Sequence, residues 1–300
     1  MVFIILVVII IVLFSIRKYR TIEVPPIKNL CPKPPMGWNS WTCFGTEVNE
    51  VLIKMTVDAL KAKGLTDYEY VVVDDGWMDS TRGPDGALRW CPKKFPSGMK
   101  ALGKYIHDNG FKFGIYTSVG RFTCEGYPGS YDHEEQDAAT FASWDVDYVK
   151  LDWCTYKWLW WPFWNYRYRY QLMSKAITNN GRDMVIAMCN WGFGGSVSWG
   201  KDLAHTTRIT YDVGANEGSI MRILAKGKAQ YKWNKPNGWN DLDSLEIGNG
   251  IPIKLGKEQF YWWRKLRSPL FIGADVTTLT DEEVAVLKSG GTVDADSGTA

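Results

Sequence analysis

Asp147–Trp153, DYVKLDW, reads as a strand whose end carries charge. Tyr148, Val149 and Leu151 suit a pleated, packed surface, whereas Lys150 and Asp152 set two ionisable groups on one face of it. Working outward, short apolar or β-branched runs recur at Met36–Trp41, Tyr70–Asp75, Lys112–Ser118, Tyr148–Asp152, Val185–Trp191, Arg208–Asp212, Trp239–Leu245 and Pro269–Asp275. Helical patterns fall at Val51–Ala62, Gly98–Asn109, His133–Trp144, Tyr166–Asn179, Gly218–Gln230, Lys257–Arg267 and Asp281–Lys288. By spacing alone this rhythm fits a closed (β/α)8 TIM barrel or an open doubly wound sheet. The strand ends decide between them. Asp74 and Asp75, Asp152, Asp212, Asp243 and Asp275 all stand at predicted C-terminal ends, which a barrel gathers on one face and an open sheet spreads along an edge. No G-x-G-x-x-G or G-x-x-x-x-G-K-[ST] follows the first strand, so neither usual phosphate cradle is offered.

The chain has 300 residues, 45% of them hydrophobic, enough for one sizeable core and not the composition of a disordered protein. Its 35 Lys and Arg against 33 Asp and Glu leave no basic excess to neutralise a phosphate backbone, so nucleic acid is not expected as a partner. The 16 Trp supply flat apolar faces that suit both cores and the stacking of sugar rings.

Residues 1–20 open with MVFIILVVIIIVLFSI and continue RKYR, a signal peptide or a signal anchor. No Lys or Arg precedes the run and no A-x-A-like cleavage site follows it, which favours an uncleaved membrane anchor. Arg17, Lys18 and Arg20 pull the other way, since by the positive-inside rule they would hold the following domain in the cytosol. A Pro-containing linker at 21–33, a barrel at 34–290 and a short irregular tail at 291–300 complete the predicted organisation. The 6 Cys permit disulfides without demanding them, and no Asn-x-Ser/Thr sequon occurs. The expectation is a secretory-pathway or extracellular location.

Any one acidic residue at a strand end can be a helix cap or a loop hydrogen-bonder. Several at successive ends are better explained by a polyhydroxylated ligand, because carboxylates accept hydrogen bonds from sugar hydroxyls and an Asp-Asp pair can grip two of them. His107, His133 and His205 form no H-E-x-x-H, and no G-x-S-x-G elbow occurs, so neither zinc nor a serine triad is expected. A carboxylate cluster around Mg²⁺ or Ca²⁺ is a minor alternative; the expectation is no metal and no cofactor.

Five collinear stretches, PPMGWNSW, VVVDDGW, FPSGMKALGKYIHDNGFKFGIYTSVGRFTCEGYPGS, DAATFASWDVDYVKLDWC and GWNDLDSLEIGNG, resemble glycoside hydrolase family 27, the melibiase or α-galactosidase family. The resemblance runs from about Pro34 to Leu287. It implies a (β/α)8 catalytic barrel and a retaining double displacement that removes terminal α-D-galactosyl residues from oligosaccharides or glycoconjugates. By the same resemblance Asp152 is the nucleophile and Asp212 the acid/base, their carboxyls about 5–5.5 Å apart as retention requires. Trp41, Asp74, Asp75, Tyr116, Lys150, Arg208 and Asp243 match substrate-binding positions. Lys150 would help keep the nucleophile ionised, unless it is a simple buried ion pair. Cys124 and Cys154 match a family disulfide between the loops after the third and fourth strands.

Departures from the family pattern qualify what is implied. Gly76 stands where a Cys is usual, which removes one common disulfide and leaves the pairing of Cys31, Cys43, Cys91 and Cys189 open. Asn190, carried as a substrate-binding position, stands where many members have a Glu that helps read the sugar's 2-substituent, and bulky Phe193 argues against an N-acetyl group there. Trp158–Gln171, WLWWPFWNYRYRYQ, is either a packed helix with an aromatic face or an aromatic wall over leaving-group subsites. The family's C-terminal antiparallel β domain is missing from the sequence. Trp153 occupies a position usually small or polar and would narrow the pocket mouth. The alternatives are β-L-arabinopyranosidase, α-N-acetylgalactosaminidase, or a truncated non-catalytic galactose-binding relative.

Overall fold

The strands are β1 (Met36–Asn39), β2 (Tyr70–Val73), β3 (Lys112–Ser118), β4 (Tyr148–Asp152), β5 (Val185–Cys189), β6 (Thr206–Arg208), β7 (Trp239–Asp241) and β8 (Leu270–Ile272) in a computed structural model that describes residues 22–154 and 166–289. All are parallel, in the order β7-β6-β5-β4-β3-β2-β1-β8. Between β7 and β8 one further parallel bridge, Leu245 to Ile272, closes the ring: Leu245 N donates to Phe271 O at 2.7 Å and Gly273 N to Leu245 O at 3.2 Å. The architecture is the (β/α)8 TIM barrel that the strand ends predicted.

Among the described residues seven helices of eight or more residues accompany the strands: α1 (Glu50–Ala62), α2 (Met99–Asp108), α3 (Glu134–Ser143), α4 (Tyr166–Asn179), α5 (Glu217–Gln230), α6 (Ile253–Lys265) and α7 (Asp281–Lys288). Their starts are chemically specified. The side chain of Asn49 accepts from Leu52 N and that of Asn216 from Ser219 N, while Thr280 and Glu283 form a reciprocal capping box at α7. Between β5 and β6 the longest helix is a single turn, Ser196–Trp199, among the described residues.

Most strands end two to four residues short of the expected ranges, β7 at Asp241 instead of Leu245, and two starts differ as well. β6 starts at Thr206, not Arg208, and ends at Arg208, where the expected strand began; Thr206 and Thr207 look polar but are fully buried β-branched residues that pair with β5 and β7. Consequently Asp212 lies on the loop beyond β6 rather than at a strand end. α6 begins at Ile253, behind Pro252, instead of Lys257.

Inside the barrel, Tyr70, Val72, Tyr148, Val185, Ala187, Trp239 and Phe271 fill the lower layers with Cys31. Gly37 makes room for them: a Cβ there would lie 2.5 Å from both Phe271 Cε1 and Tyr70 O. The segment before β1 plugs the bottom, where Trp239 Nε1 donates to Cys31 O at 2.9 Å and Cys31 N to Asn237 Oδ1 at 2.7 Å. A larger apolar layer lies between the barrel and its helices. With the bottom plugged, the open end of the barrel is the one its strands point towards.

The predicted anchor at 1–20 and tail at 291–300 lie outside the described residues, as does Trp158–Asn165 of the aromatic stretch; Tyr166–Gln171 is the start of α4. Among the described residues no helix is long and apolar enough to cross a membrane.

Candidate active site

A cavity of about 460 Å³ occupies the C-terminal mouth of the barrel, with Tyr148 and Phe271 among its lining and Trp41 on its wall. Asp74 and Asp75 reach it from the end of β2. Asp74 is held by three hydrogen bonds: Oδ2 accepts from Lys150 Nζ at 2.7 Å and from Asn39 Nδ2 at 2.6 Å, and Oδ1 accepts from Asp75 N at 2.9 Å. Asp75 is fixed by backbone, accepting from Gly76 N at 2.8 Å and Glu125 N at 3.1 Å. Burial pushes its carboxyl up to about 7, with the Glu125 N–H pulling against that and Asp74 adding to it.

β4 delivers Lys150 and Asp152 to the same cavity, as period-two alternation requires. The lysine's hydrogen-bonded partner is Asp74, so the nearer description is the buried ion pair, and its effect on Asp152 acts through space. Burial works against the Lys150 ammonium, but Asp74, helped by Asp152, outweighs it and keeps the group charged. Asp152 is 6% exposed, its Oδ1 accepting from Trp153 N at 2.7 Å and its Oδ2 from the Tyr116 hydroxyl at 3.1 Å. Burial pushes its carboxyl up to about 6 against the pull of Lys150.

Across the mouth, Arg208 at the end of β6 uses one Nη2 to hold two carboxylates, Asp212 at 2.8 Å and Asp243, while Nη1 lies 3.7 Å from Cys189 Sγ. Asp243 is also held by Val213 N at 2.7 Å and sits at φ 76, a strained conformation for a residue with a Cβ. Asp212 itself is 69% exposed along its side chain, in contrast with Asp152.

The Cys124–Cys154 disulfide is present, joining the loops after β3 and β4 with Cys124 Sγ 4.0 Å from Asp152 Oδ2. Cys31, Cys43, Cys91 and Cys189 are free thiols. Cys124, Cys154 and Asp152 bring three potential metal-ligand atoms within 4.8 Å of one another, but the two sulfurs are bonded to each other and have no lone thiolate to offer.

Other predicted residues fall elsewhere. Asn190 is fully buried outside the cavity lining, donating its amide to Phe193 O at 3.1 Å. Phe193 also stays out of the lining and packs edge-on to Tyr211. Trp153, 7% exposed, is not part of the cavity lining and packs edge-on against Tyr166, on the strand side opposite Asp152 as alternation requires. Asp275 is a cap, accepting from Thr277 N at 2.9 Å. Sequence reasoning missed Asn39, Trp191 and Asp241. Asp241 precedes Asp243 by two residues on what becomes β7, so the D-x-D spacing was the available signal; burial raises its carboxyl, with Arg208 opposing.

Comparison with known proteins adds to this geometry. Residues 33–296 match the sequence family described as Alpha galactosidase A. The chain belongs to glycoside hydrolase family 27. Among curated family 27 relatives, Alpha-galactosidase A of Cellvibrio japonicus is 39% identical over 87% of this chain and 66% of its own length. The Alpha-galactosidase of Cyamopsis tetragonoloba is 38% identical over 89% of this chain and 64% of its own length. The structure of a Saccharomyces cerevisiae alpha-galactosidase with raffinose superposes with a TM-score of 0.84 at 35% identity, covering 90% of this chain and 65% of that one. The chain therefore spans just under two thirds of the length of these relatives.

Proposed function

We propose that this chain is a retaining glycosidase that cleaves terminal α-D-galactosyl groups, with Asp152 as nucleophile and Asp212 as acid/base. The observation that carries the reading is the asymmetry of the two carboxyls on one cavity: Asp152 buried and hydrogen-bonded in the interior, Asp212 exposed at the mouth on Arg208. In the first step an Asp152 oxygen bonds to the anomeric carbon as the bond to the leaving oxygen breaks, and Asp212 gives that oxygen a proton. In the second, Asp212 takes a proton from water, whose oxygen bonds to the anomeric carbon and releases Asp152 as a carboxylate. Asp74 and Asp75, with Lys150, offer acceptors and a donor to the sugar hydroxyls, and Trp41 a flat wall. The raffinose held by the yeast relative, which ends in an α-galactosyl unit, supports the glycone. The disulfide supports an oxidising compartment in the secretory pathway or outside the cell.

The test is hydrolysis of 4-nitrophenyl α-D-galactopyranoside and raffinose by the wild type and by Asp152→Asn, which keeps the side chain's shape. Loss of at least about a thousandfold in the variant, with α-galactose as the first anomer seen by proton NMR, is the expected result. Inertness of the wild type on α-galactosides, with calorimetric binding of galactose retained, would replace this reading by a carbohydrate-binding one; turnover of only a β-L-arabinopyranoside or an α-N-acetylgalactosaminide would reassign the glycone.

A further inference from the structure

Beyond Asp212 a second cavity, of about 490 Å³, shares Trp191 and Asp212 with the first and runs on to Thr210, Tyr211, Ser219, Arg222 and Lys226. That volume is within the range of small-molecule sites. We propose that it is a leaving-group subsite for an aglycone bearing a carboxylate, an inference that rests on the α-galactosidase reading above.

Position comes first. An aglycone departs on the side of the group that protonates its oxygen, and this cavity opens from Asp212. Its chemistry is that of an anion site. Arg222 and Lys226 lie one turn apart on the exposed side of α5, and neither has an ion-pair or hydrogen-bond partner among the described residues. Like charges at that spacing repel, so intrahelical pairing does not account for them. The planar guanidinium of Arg222 suits a carboxylate's two oxygens, with the Lys226 ammonium as a second charge.

One further observation points to a ligand. Tyr211, immediately before Asp212, is 68% exposed and is braced edge-on by Phe193, itself 49% exposed, at a centroid distance of 6.4 Å. A braced, solvent-facing ring beside the acid/base is a surface on which a second sugar or aromatic ring can stack.

The experiment compares kcat/KM for 4-nitrophenyl α-D-galactopyranoside and its 3-carboxylated analogue, in the wild type and in Arg222→Gln/Lys226→Gln, at low salt and at high salt. The expected wild-type preference for the carboxylated substrate is about three- to tenfold at low salt, because two exposed cations contribute modestly. The preference should shrink towards unity in the double variant and in high salt, where exposed charges are screened. A wild type that hydrolyses both substrates equally, or whose preference survives both substitutions and salt, overturns this inference and leaves the α-galactosidase reading standing. Hydrolysis of neither substrate defeats that reading, and this one falls with it. Should the double variant fail to fold, the salt dependence of the wild-type ratio decides alone.

Discussion

Asp152 is caught between burial, which favours its protonated form, and three groups that favour its charge: Lys150 through space, the Trp153 N–H and the Tyr116 hydroxyl. Burial wins, and the carboxyl rises from its ordinary value to about 6. In the proposed mechanism the nucleophile must be ionised. Activity should therefore be lost as pH falls through about 6, well above where an ordinary Asp would still be charged. A kcat/KM profile on 4-nitrophenyl α-D-galactopyranoside measures that acid limb. Tyr116→Phe removes the hydroxyl that donates to Oδ2, so the charged form loses a partner and the limb should move upward by roughly half to one pH unit. A downward move or a fixed limb would show that this hydrogen bond does not act on the titrating group. Because other carboxyls share the cavity, the limb belongs to the coupled set rather than to Asp152 in isolation.

Between residues and fold stand the loops after the strands, and the disulfide ties two of them. Cys124 and Cys154 are 30 residues apart in sequence, so their bond removes loop-closure freedom from the unfolded chain and leaves the Asp152 strand end attached to the β3 loop. Cys124→Ser/Cys154→Ser should cost about 3–4 kcal/mol by the chain-entropy account, read as a lowered denaturant midpoint with a slope that rises as the unfolded chain expands. The same elements show what sequence can reveal. β2 and β4 were legible because their apolar runs lead into charge, and Asp74 and Asp152 followed from them. β6 was not, because Thr206 and Thr207 are polar by composition and apolar only by position. That slip placed Asp212 at a strand end, and reading β7 on to Leu245 hid Asp241, whose partner Asp243 alone was taken as functional. Asn190 was misplaced for another reason. Its contact is a carbonyl three residues on, set by left-handed turns at Trp191 and Gly192 that no propensity forecasts.

At the scale of the whole barrel, closure depends on the segment that follows β7, and that segment contains a buried carboxyl. Glu246, 1% exposed, follows the bridging residue Leu245. Its N–H donates to Gln259 Oε1 at 2.8 Å and its Oε2 accepts from Asn249 at 2.9 Å, while Oε1 has no partner. Burial pushes the Glu246 carboxyl up to about 7, with the Asn249 hydrogen bond opposing. Asp75 and Asp152 are raised in the same direction, to about 7 and about 6. Between pH 4.5 and 7 the folded chain thus retains protons that the unfolded chain releases, and stability must fall as pH rises through that window. His205 opposes this, since burial lowers its pKa and the unfolded chain binds that proton first below about 6.5, but it is one group against four, Asp241 being raised as well. Glu50, lowered overall by Lys54 and Ser97 despite burial, turns the curve over below its ordinary value of 4.5. Thermal denaturation should therefore show its maximum near pH 5 and a decline towards neutrality. Glu246→Gln removes one source of that decline while keeping an amide oxygen for Asn249. At pH 8 it should stabilise the barrel by on the order of 1–3 kcal/mol, and at pH 4.5, where Glu246 is protonated in the folded chain, it should change little. Equal effects at the two pH values would mean that the carboxyl ionises freely when folded, and that the ring is closed without the electrostatic cost assigned to Glu246.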